Sequence, residues 1–463
     1  VVAERRLPLI LAVIFLLSLP LVTTRIYASD EVQFFSWLRS WTFDHDVDFD
    51  NEYRHFQNGD AGRYPLFAQT LLEQVNENGR RINFAPIGCA ILWAPFYGAG
   101  HLYALATGAP ADGYSHPYVA AVAYGSALYG FLAVWLSADI ARRVVGRGAM
   151  AAAIVAIGTP LVYYVYISPP FSHATSAFAV SLFIWTWLRV REAWTPRAVG
   201  LLATVGALMA MVREQDVFFL IGPAIDYARA LLRTWQAEPP KARATLLRGG
   251  ALLVGIAVVR FLIVYSPQLL AYQALNGHPS QTNLVLRKLT WTSPHAAEVL
   301  FSQFHGFFMW TPLAAIALGG LVLLALRGGV HPQARWLGLC ALAMFAGQIY
   351  VSGAVESWTV AGSFGQRRFV ALTPLLTLGL AAILTAVQAR GTAWRAALAG
   401  VLALCIWWNV GLMAQFGLHR MDRQRLSLAE NARQTFVVLP RELPGLVVRY
   451  LTDRESFYRL PRQ

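Results

Sequence analysis

Long apolar runs dominate the chain. Stretches near the roughly 20 residues that cross a membrane as a helix recur from Leu7 to about residue 413. Only helices or closed barrels satisfy their backbone in lipid, and runs this long predict helices. The first predicted span is Leu7 to Tyr27. Others follow at about 117–140, 149–167, 174–190, 198–212, 217–233, 250–268, 306–326, 336–354, 369–388 and 396–413. The pattern predicts an all-α polytopic membrane protein with about eleven transmembrane helices over 1–413 and a peripheral tail over 414–463.

The polar interruptions predict an orientation. With Arg5 and Arg6 inside, the loop 29–85 lies outside. The stretch 86–107 either spans or lies at the interface. As an interfacial or re-entrant helix it leaves Arg142, Arg143 and Arg147 inside with the later arginine clusters, as basic residues beside spans prefer. Four groups then escape the rule: Arg213, the pair Arg287 and Lys288, and the pair Arg367 and Arg368 fall outside, and Arg260 falls within a span.

Composition agrees: 56% of residues are hydrophobic and 14% charged. The formal charge of +13 sits largely between spans, so it does not call for a nucleic-acid partner. Three cysteines are too few for a disulfide framework; Cys89, Cys340 and Cys405 lie in or beside apolar runs and read as packing thiols. The basic, apolar N-terminus is like a signal peptide, but its length and lack of a small-residue cleavage site predict a retained span.

The outer loop carries the candidate chemistry. Phe34, Phe35, Leu38 and Trp41 recur at helical spacing, predicting a helix from about Ser29 to Thr42 with one face on the membrane. That helix would hold Asp30 and Glu31 at the water–lipid boundary. Asp30 reads either as a general base or as a helix cap. The run Asp44-His45-Asp46-Val47-Asp48-Phe49-Asp50-Asn51-Glu52 alternates carboxylates as a hard cation requires; Asp44, Asp46 and Asp48 are candidate ligands for Mg²⁺, Mn²⁺ or Ca²⁺, against the reading of a solvated acidic loop. A short helix is predicted from Pro65 to Asn78. Arg80 and Arg81 follow, placed to bind a lipid phosphate or to anchor on headgroups.

Other outward polar groups are His173 in Ser168-Pro169-Pro170-Phe171-Ser172-His173, the interruption Arg213-Glu214-Gln215-Asp216, His305 before the 306–326 span, and Arg367 with Arg368. Charges at membrane depth cost roughly 2.5–3.5 kcal/mol on insertion scales, so each marks a turn or a site. No nucleotide-binding motif, CxxC or HExxH occurs, which favours a lipid-linked substrate handled outside.

Several stretches resemble the GT-C superfamily of membrane glycosyltransferases, which includes protein O-mannosyltransferases and the lipid A aminoarabinose transferase. These are Asp30-Glu31 after the first span, Phe43-Asp44-His45-Asp46-Val47-Asp48-Phe49-Asp50-Asn51-Glu52-Tyr53, Pro86-Ile87-Gly88 through Trp93-Ala94-Pro95-Phe96, His305-Gly306 through Trp310-Thr311-Pro312, and Phe364-Gly365-Gln366-Arg367-Arg368-Phe369. The resemblance covers about 1–390. It implies a helical bundle with an outward-facing active site, in the cytoplasmic membrane of a bacterium. It implies a sugar donor on a polyprenyl phosphate, transfer with inversion, and Asp30 as the loop carboxylate that serves as base or orients the acceptor. Arg213, Arg367, Arg368 or a cation held by the acidic run would stabilise the leaving phosphate. The rival expectations are another handler of lipid-linked glycans (a flippase, ligase or polymerase) and an inactive subunit of a membrane complex.

Overall fold

The computed structural model describes residues 2–63, 66–360 and 362–457, and of residues 2–8 the backbone alone. Helices fill it. No strand occurs among the described residues, where isolated bridges join Val75 to Arg81 and Leu289 to Val355.

The principal helices are α1 (Val2–Ser18), α2 (Ser29–Arg39), α3 (Asp50–Gln57), α4 (Gly88–Thr107), α5 (His116–Val145), α6 (Ala149–Gly158), α7 (Leu161–Tyr166) and α8 (Ser172–Val190). After them come α9 (Pro196–Val212), α10 (Ile221–Ala237), α11 (Pro240–Asn276), α12 (Pro312–Arg327), α13 (Ala334–Ala354), α14 (Thr373–Gln388), α15 (Thr392–Gly417) and α16 (Leu439–Thr452). Among the described residues five segments are long and apolar enough to cross a membrane: His116–Val145, Pro240–Asn276, Ala334–Ala354, Arg367–Gln388 and Thr392–Gly417. The apolar helices Leu9–Leu21, Ala149–Gly158, Pro196–Val212 and Pro312–Arg327 are shorter. Helix α11 leaves its most apolar window almost wholly on the surface, only 6% buried. An apolar face of that length is stable against lipid, not water. The chain has the helices of a multi-pass membrane protein.

Two ends of the bundle are chemically distinct. At the first, Arg142 and Arg143 meet Asp139, Arg191 grips the buried Asp226, and Arg147 bonds Gln388. At the other, α9 ends at Arg213 against the start of α4, where Gly88 lies on the backbone of Met211 and Val212. The 17 residues of α9 separate these ends by about 26 Å at 1.5 Å per residue, close to a hydrocarbon core. Helices α5 and α8 run parallel between them, through Gly130 beside Ala174 and a 3.2 Å bond between the Ser137 and Ser181 hydroxyls. Small residues let α12 and α14 cross closely: a Cβ on Gly320 would sit 1.9 Å from the Gly379 carbonyl oxygen.

Several expectations need correction. The helix predicted to reach Tyr27 ends at Ser18, with a 3-10 turn over Leu19–Leu21. Pro20 lacks the N–H a longer helix needs, and residues 22–27 run extended, with the Thr23 N–H on the Tyr166 carbonyl at 2.8 Å. Helix α2 ends at Arg39 rather than Thr42 and does not lie on the membrane: every residue from Glu31 to Leu38 is buried. Its polar positions are paired inside, Gln33 with the Phe84 N–H at 2.6 Å and Ser36 with the Val32 carbonyl at 2.7 Å, so both faces can be covered. The helix expected over 65–78 contracts to Phe67–Leu71, and Pro65 lies outside the described residues. The stretch 86–107, expected as an interfacial or re-entrant helix, is helical over Gly88–Thr107. As α4 it forms an antiparallel hairpin with the first half of α5, with Gly100 against Pro117, Phe96 against Gly125, and the Tyr129 hydroxyl on the Leu92 carbonyl at 2.9 Å. Helix α15 runs to Gly417, and the tail folds back on it through Asn431 and Gln415, their side chains bonding at 2.8 Å.

Candidate functional site

The end of the bundle opposite the arginine clusters holds a cavity of about 670 Å³, within the usual range for small-molecule sites. Its walls come from separate segments: the start of α2, residues 84–86, the start of α8, the stretch after α9, the last turns of α11, residues 279–291, the end of α13, and the 3-10 helix Arg367–Leu372.

Each wall reaches the cavity for a local reason. Helix α8 starts at Ser172, after the Pro169-Pro170 turn, so His173 stands in its first turn. Helix α9 stops where Arg213 turns extended, φ −152° and ψ 118°, and a 3-10 segment, Glu214–Leu220, follows. In α11, Pro267 removes the N–H that would reach Ile263, and the Ser266 hydroxyl donates to the Ile263 carbonyl instead, at 2.8 Å. Next to it Gln268 accepts the Ile87 N–H at 2.9 Å, tying α11 to the start of α4, while Tyr265, Leu269 and Tyr272 face the cavity.

The charges are unequal. Arg213, Lys288, Arg367 and Arg368 line the cavity against the carboxylates Asp30 and Glu214. Asp30 meets Arg367 at 2.7 Å, with their side chains 37% and 23% exposed. Arg213 donates to the His173 Nδ1 at 3.0 Å and to Gln215 at 3.1 Å. That bond leaves the His173 proton on Nε2, a buried atom with no partner. Arg368 donates to the Ser357 carbonyl and hydroxyl, both at 3.0 Å, while its own carbonyl accepts from Gln348 at 2.9 Å and Gln215 at 3.4 Å. Among the described residues the ion pair at the cavity is Asp30 with Arg367; Arg213 and Arg368 form none. Guanidinium groups whose hydrogen bonds go to neutral partners around a recess can form an anion site, because their hydrogen-bonding forks match phosphate oxygens. At the α11 side, Glu214 accepts the Tyr272 hydroxyl at 2.7 Å and the Tyr265 hydroxyl at 3.2 Å.

The structure thus brings Asp30, His173, Arg213, Gln215, Arg367 and Arg368 to one cavity. It places the other candidates elsewhere. Glu31 is wholly buried and does not line the cavity; it accepts the Tyr27 and Ala28 N–H groups at 2.9 and 3.1 Å and the Ser168 hydroxyl at 2.8 Å. Glu31 therefore caps α2, and Asp30 does not. Burial pushes the Glu31 carboxyl up to about 7 against those three hydrogen bonds. Arg81 pairs with Asp50 at 2.7 Å and bonds the Leu72 carbonyl, while Arg80 takes no part in the cavity wall. His305 is buried behind the wall, stacked on Trp310 at 4.7 Å and bonded to the Ser363 carbonyl at 3.0 Å.

The acidic run does not converge. Asp44 is taken by Arg39 and by Asn51, the latter at 2.7 Å. Asp46 accepts the Ser40 hydroxyl at 2.8 Å and the Asp48 N–H at 3.1 Å, and Asp48 accepts the Asp50 N–H at 3.2 Å. Asp50 pairs with Arg54 and Arg81, which hold its carboxyl below the usual range. Among the described residues no group of three or more His, Cys, Asp or Glu side chains could hold a metal ion. The run stabilises its own turns, so these donors do not fit the cation expected of them.

Sequence reasoning missed Tyr265, Tyr272, Gln281, Trp291 and Ser357 as neighbours of the site, and named Glu214 and Lys288 as polar exceptions without giving them a place in it. Only the positions of Glu214 and Lys288 at apolar borders offered a signal; the tyrosines sit in a span where they read as packing. In comparisons with known proteins, no protein-family model matches the chain and no curated protein matches it.

Proposed function

We propose that the chain is a membrane glycosyltransferase of the GT-C kind, moving a sugar from a polyprenyl-phosphate donor to an acceptor hydroxyl. The observation that supports the reading is the meeting of Asp30 with Arg213, Arg367 and Arg368 in one cavity of net positive charge. One wall of the cavity is the last turns of α11, the helix whose apolar window lies almost wholly on the surface, a suitable approach for a lipid-borne donor.

In this reading the acceptor oxygen attacks the anomeric carbon while Asp30 takes its proton. The bond from that carbon to the phosphate oxygen breaks, and its electron pair leaves on the phosphate. Arg213, Arg367 and Arg368 neutralise the charge that develops there. Attack opposite the leaving group inverts the anomeric centre. Residues Gln215 and Gln348 position Arg368 by holding its carbonyl, and His173 offers a proton from Nε2 for a further hydrogen bond. Glu31 positions Asp30 by fixing the first turn of α2. The wider setting we propose is about eleven crossings of a bacterial cytoplasmic membrane, the arginine-rich end inside and the cavity at the outer face. For the transport reading, Arg260 gives no support: it donates to Thr204 at 3.0 Å and does not line the cavity.

The test is release of polyprenyl phosphate from a panel of polyprenyl-phosphate sugars by purified protein. Wild type should release it, and Asp30→Asn should be slower by about 10²-fold or more. Equal rates would remove Asp30 from the base role. No release from any donor, with or without divalent metal and crude acceptor, would end the enzyme reading.

A further inference from the structure

Asp30 and the anion site share one cation. Arg367 spends its contact on Asp30 at 2.7 Å, whereas Arg213 and Arg368 face the same cavity and hydrogen-bond to neutral groups. The Arg367 guanidinium also lies 5.6 Å from the centre of the Phe171 ring, against which it can rest while its donors are redistributed. A phosphate bound to Arg213 and Arg368 would compete with Asp30 for Arg367 and add negative charge beside it. Two anions that share one cation in a recess oppose one another.

We infer that Asp30 and the bound phosphate are antagonistically coupled through Arg367, so that the resting Asp30–Arg367 pair gives way when a phosphate group binds. The inference rests on the proposed anion site. Its consequence is an order of events: the phosphate-bearing donor binds first, draws on Arg367, and thereby frees Asp30 for the acceptor hydroxyl. The other charged groups on the cavity act in the same sense or stand apart. Arg213 and Arg368 bind the phosphate, Lys288 adds positive charge to the same wall, the buried Asp216 interacts with Arg213 from behind it, and Glu214 is occupied by Tyr265 and Tyr272 on the α11 side. Coupling is reciprocal, so it can be read from phosphate affinity alone, without turnover.

The experiment measures dissociation constants of inorganic phosphate and of farnesyl phosphate for the full chain in zwitterionic nanodiscs; the second probe separates lipid-borne from free phosphate. Asp30→Asn should tighten binding about fivefold or more, the lower range of typical couplings. Asp30→Glu should restore the wild-type affinity. Arg367→Gln should weaken binding, and on that background Asp30→Asn should lose most of its effect, as a double-mutant cycle requires. Unchanged melting temperatures establish that each variant is folded. Tightening with both probes, or with farnesyl phosphate alone, supports the coupling. Binding that Asp30→Asn leaves unchanged or weakens overturns it while leaving the anion site standing. If neither probe binds wild type or any variant, the anion site itself is refuted, and the coupling with it.

Discussion

Asp30 and Glu31 are neighbours in the first turn of α2, yet their surroundings differ in every respect. Asp30 looks into a cavity and pairs with a cation. Glu31 is sealed among backbone N–H groups and the Ser168 hydroxyl, and its carboxyl is pushed from the ordinary 4.5 up to about 7 by burial. The sign of the resulting pH dependence follows. Between those two values the folded chain binds a proton that the unfolded chain has released, so this group's contribution to stability falls as pH rises through that window and is flat above it. Glu31→Gln should flatten that decline in melting temperature between about pH 4.5 and pH 7. A profile that keeps its full slope would show that another group carries it. Arg213 tests the opposite kind of role. It is already bonded to His173 and Gln215, so Arg213→Gln should fold; it should lower polyprenyl-phosphate release by about 10²-fold, as removing one charge-stabilising donor does elsewhere. Asp30 and Arg213 were legible as candidates because ionisable groups at apolar borders need a reason. Which of two adjacent carboxylates faces the cavity was not, because one step of a helix turns the side chain by about 100° and both directions fit the pattern.

The helices that make the cavity meet through close backbone contacts. Gly88 opens α4 directly against the end of α9, and a Cβ there would stand 2.4 Å from the Val212 nitrogen. Gly88→Ala should therefore push α4 from Arg213, costing about 1–3 kcal/mol by overpacking and loosening phosphate binding. Measured melting temperature and affinity check both; an unchanged variant would mean that the start of α4 is free to move. Apolar runs identified most of these helices because length and hydropathy are local properties. They misjudged α2, whose apolar residues suggest a face on lipid. Burial also depends on Gln33 and Ser36 finding partners, and those partners come from the chain itself or from a loop some 50 residues on.

The bundle has a chemical polarity: arginines gather at one end and the cavity lies at the other. If that polarity sets orientation by the positive-inside rule, a cysteine at Gln74, exposed in the first loop, should react with an impermeant thiol reagent added outside intact cells. One at Val330, exposed between Arg327 and Arg335, should react only after permeabilisation. The native cysteines are all buried and contribute little background. The reverse labelling pattern would turn the molecule over and move the cavity to the inner face.

The linear order of apolar and polar residues was sufficient for the helical class, the approximate helix positions and the short set of charges that need an explanation. Each of these follows from the cost of placing polar groups in an apolar medium, which a run of residues states directly. Convergence is different. Asp30, His173, Arg213 and Arg367 lie far apart in the chain and meet only because α2, α8, the end of α9 and the Arg367–Leu372 turn end at one level. The same packing withdrew Glu31, Arg81 and His305 into structural bonds and scattered the carboxylates of the acidic run into their own turns. A charge shows in sequence that it must be satisfied; whether a neighbour in the fold satisfies it or a ligand is left to do so is settled by distances that only the packed helices determine.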